Sequence, residues 1–237
     1  MQAGTASSFS SHPGQFHRWL LALALLLTVI SYSQVLSAPF VYDDPQQIIN
    51  NPELRSWNSL PGFFTHHLWV QLNPGQKGSP YYRPIFKVWL LVNYQLFGLK
   101  LAPWHVSNIL LHLLVVVLVY FLARSLTEDP ITAAMAALIF AVHPTHIETV
   151  TWLSGITDAL AAVFFVGSLL LYLRYRRAPH PAALFGSAAL FVLALLGKET
   201  CAMYAPKAKT KGTIIRIAPR RRRPKLRESA ASQGRQE

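Results

Sequence analysis

Long apolar segments constrain this 237-residue chain more than any other feature of its sequence. A helix needs about 20 predominantly apolar residues to cross the roughly 30 Å hydrocarbon core of a bilayer. Four segments approach that length, at residues 19–40, 106–122, 159–175 and 181–196. A fifth, at residues 131–142, holds only about 12 apolar residues before the polar HPTHIE, so it indicates either a span that ends in a polar pocket or a re-entrant helix. We expect a span, because a helix that continues through Trp152 is long enough.

The composition agrees with a bilayer as the solvent of the chain. Hydrophobic residues make up 52% of the sequence and charged residues 14%, whereas about a quarter of the residues of an ordinary soluble domain are charged. The single cysteine, Cys201, excludes an internal disulfide framework and any metal site with several cysteine ligands. We therefore expect an all-α, multi-span membrane protein with about five transmembrane helices.

Basic residues near the span ends predict the orientation, since such residues stay on the cytoplasmic side. Arg18 precedes the first span, Arg124 follows the second, and RYRR at residues 174–177 follows the fourth. Alternating five spans puts all three on one side, with residues 1–18 as a cytoplasmic N-terminus. The other side then holds a long outer loop at residues 41–104, the HPTHIETV turn and GKET at residues 197–200.

The first apolar segment has a second interpretation. Arg18, the run WLLALALLLTVI and the later VLSA together resemble a secretory signal peptide with a small-residue cleavage site. We expect an uncleaved first span, because more long apolar segments follow. Residues beyond Phe40 face the non-cytoplasmic side under both interpretations.

One segment of the outer loop is itself helical in character. PIFKVWLLVNYQLFG begins with a proline at a first helical position and carries Trp89 and Tyr94. Aromatic side chains prefer the boundary between lipid and water. We therefore expect an amphipathic helix lying at the membrane interface.

The C-terminal residues 201–237 differ from the rest of the chain. They hold 11 of the 22 basic residues and show no hydrophobic periodicity, so we expect a basic disordered tail. Three explanations stay open: a non-native reading frame, a last apolar segment that does not cross the membrane, or an arm that binds nucleic acid. RRRRPK matches a nucleic-acid patch by pattern. That match is weak in a multi-span membrane protein, and we expect no nucleic-acid partner.

Polar residues gather on the predicted outer side, several of them at or within apolar segments. Such residues are functional-site hypotheses by default. The candidates are Asp43, Asp44, Asn50, Arg83, His105, Asn108, His112, His143, His146, Glu148, Asp158, Lys198 and Glu199. Simpler explanations compete, such as an interhelical hydrogen bond for His112 and a partner of the helix dipole for Asp158. For the paired aspartates in FVYDDP, a hydrated turn and a functional site are equally open.

A metal site formed by His143, His146 and Glu148 is open but is not indicated by the spacing. On a helix the two histidines share a face, whereas Glu148 lies about 160° from His146 and points elsewhere unless Pro144 bends the chain. The sequence has no HExxH motif. We expect no protein-held metal and no other cofactor, with a divalent metal as the alternative.

Five motifs in order carry a family resemblance over about residues 19–199. They are FVYDDPQQIINNPELRSW, YYRPIFKVWLLVNYQLFG, WHVSNILLHLLVVVLVYFL, HPTHIETVTWLSGITDALAAVFF and LLGKE. The set closely resembles the N-terminal membrane domain of the transmembrane and tetratricopeptide-repeat mannosyltransferases. More distantly it resembles protein O-mannosyltransferases and other multi-span GT-C glycosyltransferases. We expect a GT-C-like transmembrane domain at residues 19–200.

The chain is expected to depart from the family pattern in two ways, with about five spans where the family has more and without the repeats that follow the membrane domain. Residues 201 onward resemble nothing in the family. The family's GRAD-like turn is present as GITD, residues 155–158, which keeps Asp158 without a basic partner. An inactive fragment is therefore one alternative to an active enzyme.

The resemblance implies a chemistry and a site. A sugar, best known as mannose, is transferred with inversion from a polyprenyl-phosphate donor to a hydroxyl of a protein or glycan, on the periplasmic or lumenal side of the bilayer. One of Asp43 and Asp44 is implied to be the base, while the other orients it or binds a donor hydroxyl. Arg83 and Lys198 are the candidates for the donor phosphate. The pocket is expected to be lined by His143, His146, Glu148, Asp158 and Glu199.

The host membrane and one competing functional class are the remaining points that the sequence leaves open. Similarity to bacterial members favours a bacterial inner membrane, with the endoplasmic reticulum membrane as the alternative. The competing functional class is a small lipid-binding or transport bundle, which typically places charges near the midplane in repeated halves. The sequence shows no internal repeat, and its charges gather at the span ends.

Overall fold

Seven α-helices occur in the part of the chain that the computed structural model describes, residues 15–69 and 81–204. They are α1 (Phe16–Tyr32), α2 (Pro84–Phe97), α3 (Leu101–Thr127), α4 (Pro130–Val142), α5 (Ile147–Thr151), α6 (Thr157–Arg177) and α7 (Pro181–Gly197). Short 3₁₀ and π turns connect them, and no strand is present within these two ranges. The all-α prediction is confirmed. The predicted N-terminal segment up to residue 14 and the predicted tail from residue 205 lie outside the described residues.

Three helical segments of the described part are long and apolar enough to cross a membrane: Phe16–Ser37, Leu101–Thr127 and Ser154–Arg177. A bent pair, Pro130–Val142 with Pro144–Thr151, raises the number to four when it is counted as one span. The multi-span prediction is confirmed. The count of five stays a prediction, because α7 is apolar but only 17 residues long.

The expected continuous helix through Trp152 is wrong. α4 ends at Val142, because His143 adopts an extended backbone (φ −67°, ψ 129°) ahead of Pro144. A residue that precedes proline is disfavoured in the helical region. After a 3₁₀ turn the chain continues as α5, and the two helices are bent by 51°. The predicted re-entrant alternative and a broken span both fit this bend.

Small side chains allow the helices to pack closely. Ala133, Ala134, Ala137 and Ala141 of α4 are fully buried in one cluster with Ala24 of α1. Between α6 and α7, the Ser168 hydroxyl donates to the Ser187 carbonyl (2.8 Å) and the Ser187 hydroxyl donates to the Ser168 carbonyl (2.9 Å). Small residues and interhelical hydrogen bonds of this kind are typical of helix pairs in lipid.

The outer loop packs on α2 and on the ends of α3 and α6. Leu54, Phe63, Phe86, Leu91 and Trp104 form the centre of this second core and are nearly or fully buried. Since α2 buries much of its surface there, it is a packed element of the outer end, and its place at a lipid interface stays a prediction.

An ion pair between Lys87 and Glu53 connects α2 to the outer loop. Lys87 of α2 is only 2% exposed, and its Nζ lies 2.6 Å from Oε2 of Glu53 and 4.6 Å from the centroid of the Phe63 ring. A buried ammonium is costly unless it is paired, so the pair fixes the loop against the helix.

Candidate active site

A cavity of about 370 Å³ lies where the outer loop, the start of α2, the corner between α5 and α6 and the end of α7 meet. Its lining includes five of the residues predicted from the sequence: Asp43, Arg83, Glu148, Asp158 and Lys198. These residues come from four separate parts of the chain. The bend after α4 and the turn before α6 bring them together.

The two neighbouring aspartates have different environments. Asp44 is 1% exposed, and its Oδ1 accepts hydrogen bonds from the backbone N–H (2.8 Å) and the hydroxyl (2.6 Å) of Ser154. Its Oδ2 accepts from the backbone N–H of Val41 (3.0 Å). A buried carboxylate is stable only when donors satisfy its oxygens. Asp44 therefore ties the outer loop to the turn that precedes α6.

Asp43 points to the other side of the same segment. It is partly exposed and lines the cavity, and within the described part of the chain its carboxylate has no hydrogen-bond or ion-pair partner. The preceding residue, Tyr42, has a φ of 51°, which a bulky side chain rarely adopts. This backbone turn precedes the two aspartates, one of which is buried and one open to the cavity.

Arg83 caps the cavity from the start of α2. Its Nε and Nη2 donate to Oε2 (2.9 Å) and Oε1 (2.6 Å) of Glu199, which is a bidentate pair. The guanidinium also lies 4.8 Å from the centroid of the Tyr81 ring. These hydrogen bonds from Arg83 hold the pKa of the Glu199 carboxyl below its usual value. Arg83, which was predicted to bind the donor phosphate, is thus already paired with the carboxylate of Glu199.

Lys198 supplies the basic partner that the GITD turn lacks. Its Nζ lies 2.5 Å from Oδ1 of Asp158, which is in the first turn of α6. An acidic side chain there also complements the helix dipole. Asp158 is therefore both a partner of the α6 dipole and a residue of the cavity lining. The ion pair joins the start of α6 to the end of α7.

Gly155 is required by a close approach at this corner. A Cβ atom added to it would lie 2.7 Å from Cε3 of Trp152 and 3.1 Å from the carbonyl oxygen of Glu148. Only glycine leaves room for the indole ring in this position. Trp152 in turn lines the cavity beside Asp43.

Three predicted pocket residues do not line the cavity. The rings of His143 and His146 lie 6.0 Å apart, and the His146 ring packs 4.2 Å from Phe140 and 5.3 Å from His112. Glu199 takes part only through Arg83. The described residues contain no group of three or more histidine, cysteine, aspartate or glutamate side chains placed to hold a metal ion.

Residues 82–232 of this chain match the model of a known protein family. The matching family model is described as dolichyl-phosphate-mannose-protein mannosyltransferase, and it covers more than half of the chain. The chain belongs to this family. The matched range ends at residue 232, whereas the sequence motifs predicted no resemblance to the family from residue 201 onward.

Curated relatives from this mannosyltransferase group agree with that assignment. A protein O-mannosyl-transferase of Caenorhabditis elegans is 31% identical over 79% of this chain, and protein O-mannosyl-transferase TMTC1 of Homo sapiens is 35% identical over 77%. TMTC3 of Homo sapiens is 31% identical over 65%. The chain spans only 27%, 21% and 17% of the length of these three relatives. No solved structure matches.

The comparisons also bear on the membrane that holds the chain. Together with the apolar helices, they identify an integral membrane protein related to the TMTC-type mannosyltransferases. These three relatives are animal proteins, so the preference for a bacterial inner membrane has no support from them.

Sequence reasoning missed three residues of the cavity lining: Ser154, Gly155 and Trp152. The close approach at Gly155 had one signal, since the glycine is the first residue of GITD, this chain's form of the family's GRAD-like turn. The partnership between Ser154 and Asp44 had none, because 110 residues separate the two side chains.

Proposed function

We propose that this chain transfers mannose from a polyprenyl phosphate to a hydroxyl of a protein, with inversion at the anomeric carbon. The observation that supports this most is the cavity itself, which sets the Asp43 carboxylate in one lining with the two cations Arg83 and Lys198. Among the residues that the structure describes, this carboxylate has no hydrogen-bond or ion-pair partner. Its volume of about 370 Å³ is within the usual range for small-ligand sites.

Asp43 is the base in this proposal. Its carboxylate accepts the proton of the acceptor hydroxyl while the hydroxyl oxygen attacks the anomeric carbon. The bond between that carbon and the phosphate oxygen breaks, and its electron pair leaves with the polyprenyl phosphate. Since the phosphate leaves already ionised, no acid is required.

Asp44 is a positioning residue rather than a second base. The three hydrogen bonds to its carboxylate come from Val41 and Ser154, and its side chain is buried away from the cavity. By fixing the segment that carries Asp43, it holds the base at one place in the cavity lining.

Arg83 and Lys198 bind the phosphate of the donor. Each is now paired with a carboxylate, Glu199 and Asp158 respectively. A phosphate offers the same bidentate geometry to a guanidinium and carries its charge into the transition state, so it replaces the carboxylates when the donor enters. Gln47, Thr145, Thr149 and Thr157 give the lining polar groups suited to sugar hydroxyls.

The site faces the non-cytoplasmic side in this proposal. Arg18, Arg124 and the RYRR segment lie at the opposite ends of their helices from the cavity. The endoplasmic reticulum membrane, with a lumenal site, suits the animal relatives better than a bacterial membrane.

A transfer assay tests the proposed function. The chain is placed in phospholipid nanodiscs with dolichyl-phosphate mannose and a threonine-containing peptide, and the product is analysed for its anomeric configuration. We expect transfer from the lipid donor but not from a nucleotide sugar, with a configuration opposite to that of the donor. Retention of configuration, or no transfer by protein shown to bind the donor, would refute the proposal.

A further inference from the structure

A second cavity of about 880 Å³ adjoins the first. It lies between the segment that follows α1 and the bent segment that includes α5. The two cavities share four lining residues: Asp43, Thr145, Glu148 and Trp152. Asp43 therefore stands on the boundary between two spaces, of which the proposed function uses one.

The two cavities differ in charge. The first is lined by Arg83 and Lys198 as well as by acidic side chains, whereas Asp43 and Glu148 are the only charged residues of the described ranges that line the second. Among the residues that the structure describes, neither of these carboxylates has an ion-pair partner. The second cavity therefore disfavours a phosphate and suits a neutral or positively charged ligand.

An aromatic pair stands at the edge of the second cavity. The rings of Tyr42 and Trp152 meet edge to face with their centroids 5.7 Å apart. Tyr42 has the rare φ of 51°, and its side chain is 82% exposed. Burial of this side chain therefore does not offset the backbone strain. Backbone strain at such a position is typical of ligand-binding segments. An exposed ring beside two carboxylates favours a cationic group.

We propose that the second cavity binds the acceptor, as a polypeptide segment that carries a basic residue next to its hydroxyl residue. This inference rests on the proposed function, because it takes Asp43 as the base. The hydroxyl reaches Asp43 at the shared boundary. The basic side chain lies against the carboxylate of Glu148 and the ring of Tyr42.

The direction of attack supports this placement. In an inverting transfer the acceptor approaches the anomeric carbon from the face opposite to the leaving group. Arg83 and Lys198, which suit the leaving phosphate, line the first cavity and not the second, so the acceptor enters from the second. A lipid tail is the less suitable occupant, since two carboxylates without ion-pair partners in the described structure line the space.

Peptide binding without a donor tests the inference separately from the transfer reaction. The chain in nanodiscs of zwitterionic lipid is titrated with fluorescent threonine peptides that differ only in one neighbour of the threonine, lysine or glutamate. Empty nanodiscs correct for binding to lipid. We expect the lysine peptide to bind about fivefold more tightly than the glutamate peptide.

Two variants assign that preference to the cavity. Glu148→Gln should remove the preference, while Glu128→Gln, a change of an exposed acid in the turn between α3 and α4, should keep it. A preference that survives Glu148→Gln, or equal binding of both peptides by the unchanged protein, would overturn the proposal. Displacement of the bound peptide by a polyprenol would assign the space to a lipid tail and would overturn it too.

The readouts separate the two proposals. If peptides bind with the expected preference but no mannose is transferred, the proposed function fails, and the second cavity remains a site for basic peptides without a role in transfer. If mannose is transferred without any effect of the neighbouring residue on binding, the acceptor site fails and the proposed function stands.

Discussion

The two walls of the first cavity are held together in different ways. The aspartate wall (Asp43 and Ser154) is fixed by three hydrogen bonds to the carboxylate of Asp44, which is 1% exposed and lies behind the lining. The cation wall (Arg83, Asp158 and Lys198) is fixed by two ion pairs, Arg83 with Glu199 behind the lining and Lys198 with Asp158, whose acidic members are 41% and 57% exposed.

This difference has a physical consequence for ligand binding. Breaking a buried network leaves donors without partners in a dry environment, whereas an ion pair with a partly exposed carboxylate is exchanged for water or another anion at a lower cost. The aspartate wall is therefore rigid and suited to holding a base in place. The cation wall is suited to exchanging one anion for another.

The largest effect on stability is expected from Asp44→Asn. An asparagine amide directs N–H groups at one or more of the three donors on Ser154 and Val41, so we expect the free energy of unfolding to fall by about 2–3 kcal/mol. Unfolding in detergent micelles measures it. Asp43→Asn is the matched control, since that carboxylate has no partner in the described structure, and it should change stability by less than about 0.5 kcal/mol. Equal losses would remove the distinction between the two aspartates.

Gly155→Ala should have the next largest effect. The added Cβ would lie 2.7 Å from Cε3 of Trp152, so the indole must move, at a cost of about 1–3 kcal/mol in the free energy of unfolding. Gly62→Ala is the control, because its nearest neighbour would be 3.7 Å away. Unchanged unfolding and unchanged Trp152 fluorescence in Gly155→Ala would show that the corner is not tightly packed.

On the cation wall, Arg83→Lys should affect the donor and leave stability almost unchanged. A lysine cannot form the two parallel hydrogen bonds of a guanidinium, so we expect binding of dolichyl-phosphate mannose to weaken about tenfold. Acceptor binding should not change. Arg55→Lys, at an exposed position of the outer loop, is the control. If donor binding is the same in both variants, Arg83 does not hold the phosphate.

The smallest effect is expected from Glu199→Gln. This change removes the carboxylate that competes for Arg83, so donor binding should strengthen about threefold. Weaker donor binding would instead show that Glu199 orients Arg83 for the phosphate.

The pH dependence of the unchanged protein provides a second measure of this pair. Hydrogen bonds from Arg83 lower the pKa of Glu199 in the folded state, so its contribution to stability is present above the ordinary pKa of glutamate and is lost as the pH falls through the lowered one. Donor affinity should rise over that same fall in pH, since protonation of Glu199 releases Arg83. The rise should be absent in Glu199→Gln.

The sequence predicted the fold class and several of the residues that line the cavity, for identifiable reasons. Apolar segments of spanning length have few structural solutions, so the all-α membrane fold follows from length and composition. The alternation of spans predicted that Asp43, Arg83, Asp158 and Lys198 share one side of the membrane. In the structure these four residues line one cavity.

Other features depend on backbone geometry that the sequence does not reveal. The sequence favoured a continuous helix through Trp152, with a re-entrant helix only as the alternative, so it did not predict the bend at His143 directly. Pro144, which causes the bend, is nevertheless visible in the sequence. The different environments of Asp43 and Asp44 follow from the left-handed backbone of Tyr42 and from a contact of Asp44 with Ser154 far along the chain. No local pattern encodes such a contact.

The central claim, that Asp43 does chemistry while Asp44 holds it in place, is tested most directly by single-turnover transfer from bound dolichyl-phosphate mannose. Asp43→Asn should slow transfer by a factor of about 10²–10⁴, with donor affinity and the free energy of unfolding unchanged. An Asp43→Asn protein that transfers mannose as fast as the unchanged chain would contradict the claim.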